Sequence, residues 1–130
     1  MRKFHLSLAA LTFGAFGLTG LYMHFVLDHL RELDLALRAF YRSRHIYILL
    51  AALLHAGLGA YIRPAINLRW LQFAGSAFVT ASTLALIVAF FVESTTPNLR
   101  SPVSTLAIYS LTFGSLCHVL SGLRNQRPMD

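Results

Sequence analysis

Four stretches of this chain contain no Asp, Glu, Lys or Arg: residues 4–27, 45–62, 70–92 and 101–123, which are 24, 18, 23 and 23 residues long. An α-helix rises about 1.5 Å per residue and the hydrocarbon core of a bilayer is about 30 Å thick, so roughly 20 apolar residues make one crossing. Each stretch is long enough to span, the second only just. The connections between them have 17, 7 and 8 residues, which leaves no room for a separate soluble domain. The expected fold is therefore an all-α integral membrane protein: one membrane domain over residues 1–130, built as a four-helix transmembrane bundle.

Charge supports that class. Charged residues make up 12% of the chain, about half of what a soluble domain carries. The net charge of +6 would suggest nucleic acid in a soluble protein. Here the basic residues stand at the ends of apolar runs, where arginines reach to the headgroups, so no nucleic-acid partner is expected. The first run follows Arg2 and Lys3 like a signal peptide, but it continues to Leu27, well beyond the 7–15 residues of a cleavable h-region. It reads as a retained first helix.

Four crossings put both termini on one side. Six Lys and Arg fall there (Arg2, Lys3, Arg63, Arg69, Arg124, Arg127) and five on the other side (Arg31, Arg38, Arg42, Arg44, Arg100). The positive-inside rule then favours cytoplasmic termini, in a bacterial cytoplasmic membrane. In the first connection Leu30, Leu33, Leu37 and Phe40 recur at three- and four-residue intervals, with Asp34 and Arg38 spaced for an ion pair. This predicts a short amphipathic interfacial helix between helices 1 and 2, anchored by Tyr41, Tyr47 and nearby arginines. Pro64 and the run Ser94-Thr95-Thr96-Pro97-Asn98 are expected to stop the second and third helices.

Ionisable groups inside spans point to function because hydrocarbon does not solvate them. Here these are histidines, drawn from His5, His24, His29, His45, His55 and His118. By rise per residue, His24 and His45 lie level, roughly 13 Å from the midplane, on the side away from the termini. His55 falls near the midplane, His118 roughly 7 Å toward the termini, and His5 near that surface. Small and polar residues define inward stripes: Ser7, Ala10, Gly14, Gly17, Leu21 and His24 in the first helix, and His45, Ile48, Ala52, His55 and Gly59 in the second. Ser76, Thr80 and Thr83 do so in the third, and Gly114, His118 and Ser121 in the fourth. Such faces let helices approach closely.

Gly20 precedes His24 by four residues, Ala51 precedes His55 and Gly114 precedes His118. Each imidazole thus points over a turn that carries almost no side chain, the clearance a flat tetrapyrrole needs beside its axial ligand. His45 breaks the pattern with Tyr41. Haem b is accordingly the candidate cofactor, with His24 and His45 as iron ligands, His55 and His118 as a second pair, and Arg42 or Arg44 placed to meet propionates. Metal transport through imidazole ligands is a further alternative. It is disfavoured by one cysteine (Cys117), three methionines (Met1, Met23, Met129) and no carboxylate within a span. No phosphate-binding loop, nucleophile elbow or HExxH pair is present.

Two functions of different classes remain open. One is a non-catalytic accessory subunit or assembly factor with structural histidines, whose partners are the bilayer and another membrane protein or a second copy. The other is a b-type electron carrier.

Overall fold

The computed structural model describes residues 1–61, 68–93 and 101–124. Pro64, the run 94–98, Arg63, Arg100, Arg127 and Met129 lie outside the described residues. The chain forms four α-helices: α1 (Arg2–Leu21), α2 (Leu35–Tyr61), α3 (Arg69–Val92) and α4 (Pro102–Arg124), with no strand among the described residues. Three helical segments are long and apolar enough to cross a membrane: Arg2–Val26, Arg69–Val92 and Pro102–Gly122. α2 is longer, at 27 residues, but Arg38, Arg42, Arg44, His45 and His55 lower its apolar character.

α1 packs chiefly on α2 and α3 on α4, and the two hairpins meet through α2 and α3. Between them lie Ile48, Ala51, Val79, Leu86, Phe90, Ala107 and Leu111, all buried. The outside is apolar as well, with Leu11 70% exposed, Phe25 74% and Leu106 69%. A helix apolar on both faces suits a bundle surrounded by lipid.

Small residues set the closest approaches. A Cβ built on Gly75 would lie 2.8 Å from the Gly114 carbonyl oxygen, and one on Gly114 would lie 2.7 Å from that of Gly75. The α3 and α4 backbones therefore touch at these two glycines. At the α1–α2 crossing a Cβ on Gly59 would meet the Leu6 side chain at 2.7 Å. The Arg2 guanidinium donates through Nε to the Gly59 carbonyl at 3.0 Å, a cation against the C-terminal end of α2.

The inward stripes read for α2, α3 and α4 lie largely inside: Ile48, Ala52, His55 and Gly59, then Ser76 and Thr83, then Gly114, His118 and Ser121 are all buried. α1 is turned the other way. Its buried residues are His5, Ala9, Thr12 and Thr19, and Ser7, Ala10, Gly14 and Gly17 are exposed on the opposite face. The reason is chemical: imidazole and hydroxyl groups gain partners by turning inward, whereas glycine loses nothing by facing out.

The first connection also differs from expectation. After α1 the chain makes a π-helical turn at Tyr22–Val26 and a 3-10 turn at Asp28–Leu30. Asp28, His29 and Leu30 have φ of 39°, 58° and 63°, three successive left-handed residues without glycine. Leu30 is buried beneath this elbow. Leu37 and Phe40 of the amphipathic stretch belong to α2, which runs unbroken from Leu35. Asp34 does not pair with Arg38 as its spacing suggested. Its Oδ1 accepts the Leu37 amide at 2.7 Å at the start of α2, and the Arg38 guanidinium donates to the carbonyls of Arg31 and Leu33 at 3.1 Å each.

Candidate functional site

Two polar clusters lie inside the bundle, at opposite ends. Near the start of α1, three imidazoles from three helices meet two hydroxyls from the fourth. His5 Nδ1 lies 2.9 Å from His55 Nδ1, and His5 Nε2 lies 2.9 Å from Ser76 Oγ. Ser76 Oγ is in turn 3.2 Å from His118 Nε2, and His55 Nε2 is 3.1 Å from Thr83 Oγ1. His5 and His55 are fully buried and His118 is 8% exposed.

One assignment of protons satisfies every bond of the cluster, and it starts from Thr83. With the single hydroxyl proton of Thr83 donated to the Val79 carbonyl at 2.8 Å, Oγ1 accepts from His55, which assigns the proton of His55 to Nε2. Neutral His55 then accepts at Nδ1 from His5 Nδ1–H, which leaves His5 Nε2 as an acceptor for the Ser76 hydroxyl. Ser76, having donated, accepts from His118 Nε2–H. Every bond points the same way, from α4 through α3 and α1 to α2 and back to α3. The chain ends at a lone pair: His118 Nδ1 is buried and has no hydrogen-bond partner.

At the other end, Glu93 and Arg44 are 5% and 1% exposed. Arg44 Nε lies 3.3 Å from Glu93 Oε2 and 3.3 Å from Ser104 Oγ, and its guanidinium stands 4.7 Å from the centre of the Phe40 ring. Glu93 Oε1 accepts the Val103 amide at 2.5 Å, and Ser104 donates to Oε2 through its amide at 3.2 Å and its hydroxyl at 2.5 Å. With Pro102 as its first residue, α4 has its next two amides capped by a carboxylate carried at the end of α3. Solvation is the ordinary reading of a carboxylate or guanidinium at the end of an apolar stretch, where Glu93 and Arg44 stand in the sequence. Both are instead spent joining α2, α3 and α4, because a carboxylate at a helix N-terminus with a guanidinium beside it is compensated on both sides.

The residues read as tetrapyrrole ligands have other partners. His24 is exposed in the π turn, its ring centre 3.9 Å from that of His29. His45 stacks on Phe16 at 4.0 Å between centres, and its Nδ1 lies 2.9 Å from Thr19 Oγ1. The small residues are also occupied. A Cβ on Gly20 would lie 3.3 Å from the His45 ring, Ala51 is fully buried in the apolar core, and Gly114 is against Gly75. These positions pack against protein side chains and backbone. Arg42 is exposed. Among the described residues no group of three or more His, Cys, Asp or Glu side chains is arranged to hold a metal ion.

His55 and His118 do belong to one site, joined through Ser76 and His5. His5 was placed near the surface by depth alone. The signal that finds it is its phase: at about 100° per residue it shares a face with Ala9, Thr12 and Thr19. Outside Ser76 an open groove of about 600 Å³ runs from Met1 and Phe4 past Phe73 and Thr80 to Leu84.

Fold and site together define an all-helical bundle with three helices apolar enough for a membrane and a neutral imidazole–hydroxyl chain inside. No family model, curated protein or solved structure matches the chain.

Proposed function

We propose that this chain is a four-span integral membrane protein with both termini on one side, acting as a non-catalytic accessory subunit or assembly factor of a larger membrane complex. The observation that carries the reading is the outer face of α1. Ser7, Ala10, Gly14 and Gly17 form an exposed stripe, and a Cβ on Gly14 or Gly17 would have nothing within 4 Å. Small residues spaced by three and four along a span are the surface on which another transmembrane helix packs closely. The interior is compatible with the same reading: its imidazoles bond to hydroxyls and to one another.

Purification in mild detergent from the native membrane tests it. A colourless preparation with one stoichiometric membrane partner, lost when Gly14→Leu and Gly17→Leu are introduced, is the expected result. A monodisperse chain with nothing bound would overturn the subunit reading. A Soret band abolished by His24→Ala or His45→Ala would replace it with the electron carrier.

A further inference from the structure

We infer that the His5–His55–His118 cluster is a binding site for one excess proton, taken up at His118 Nδ1 and shared along the hydrogen-bonded chain as far as His55. This goes beyond the subunit reading and does not depend on it.

The direction of the chain makes the case. Each ring nitrogen and hydroxyl in it is committed as donor or acceptor except His118 Nδ1, a buried lone pair without a donor. A proton from water that binds there turns His118 into imidazolium and breaks none of the existing bonds. The charge can then move without any ring turning. His118 Nε2–H breaks as a proton reaches Ser76 Oγ, the Ser76 proton passes to His5 Nε2, and the cation is now His5. Passage of the His5 Nδ1 proton to His55 Nδ1 moves the cation to His55. There the path stops, because Thr83 holds its own proton toward the Val79 carbonyl, which is not a base. Each step forms one N–H or O–H bond and breaks one, and the whole chain gains a single positive charge.

Two protons do not fit. The ring centre of His5 is 5.1 Å from that of His55 and 5.8 Å from that of His118. At such spacing, with partial screening, a second cation binds roughly 100-fold more weakly than the first. The groups around the cluster bring no counter-charge. α1 offers the amino terminus, Arg2 and Lys3, α2 offers only Tyr61 beyond His55, α3 offers Ser76, Thr83 and the cation Arg69, and α4 offers the thiol of Cys117. The carboxylates of the described residues, Asp28, Glu32, Asp34 and Glu93, belong to the far ends of α1 and α3 and the connection beyond α1. The added charge is therefore shared among the three rings without a compensating anion, and Ser76, which joins two of them, also lines the open groove.

The test uses the full chain in lipid nanodiscs with histidine ring nitrogens labelled with 15N. At neutral pH the His5 proton should be on Nδ1, and those of His55 and His118 on Nε2. On acidification the signals of the three rings should move together through one transition worth one proton per chain. Ser76→Ala should split that transition, His118 moving alone and His5 with His55. The proposal is overturned by a His5 proton on Nε2, by three independent transitions in the native chain, or by a shared transition that survives Ser76→Ala. If that variant does not fold, the tautomers and the transition of the native chain decide.

Discussion

The two polar ends of the bundle solve the same problem in opposite ways. At Arg44 and Glu93 full charges are buried and cancelled, with the carboxylate also holding the first amides of α4. At His5, His55 and His118 no formal charge is needed, and the rings are joined by a one-way series of neutral hydrogen bonds. A compensated ion pair is a fixed structure, since removing either member strands the other in a dry interior. A neutral chain with one lone pair left over can change its protonation state while every contact persists. The difference separates a lock from a site.

Mutation at each end should expose this asymmetry. Glu93→Ala strands the Arg44 guanidinium and uncaps α4, and should cost about 3–5 kcal/mol in unfolding measured in detergent micelles. Arg44→Met combined with Glu93→Leu should recover most of the loss that belongs to the ion pair. If Glu93→Ala is as mild as a surface change, the lock is not one. Gly114→Ala drives a Cβ into the Gly75 carbonyl and the Val79 side chain, and should cost about 1–3 kcal/mol by the same measurement. Ser76→Ala leaves an acceptor on His5 and a donor on His118 unpaired, at about 1–3 kcal/mol, with helix content by circular dichroism unchanged. Gly14→Leu, on the outer face of α1, should leave the stability of the isolated chain within about 0.5 kcal/mol while removing partner binding.

Much of this architecture is legible in the residues themselves. Charge-free lengths give α1, α3 and α4 but only the later part of α2, which begins at Leu35, and the phase of Ile48, Ala52, His55 and Gly59 gives the inner face of α2. The inner face of α1 is not legible from small residues, because glycine and alanine serve equally where a helix meets its own bundle and where it meets a separate one. Thr12 and Thr19 carried the better signal, since a hydroxyl without a partner is costly inside and a buried stripe of them implies partners. The pairing of Arg44 with Glu93 joins residues 49 positions apart at the ends of two charge-free stretches, where solvation is the ordinary reading of each alone. The histidine chain was half visible: His55 and His118 stood out by depth, whereas His5 needed the orientation of α1, which its shared phase with Thr12 and Thr19 carries.

The elbow from Asp28 to Leu30 has a consequence for how the molecule is assembled. Residues with side chains adopt this mirror-image twist at an expense of roughly 1–2 kcal/mol each, so the bend does not persist in the free peptide. Leu30 is buried in a cluster that includes Val79 and Phe90 of α3, so the reversal of direction after α1 draws on the other half of the protein for its support.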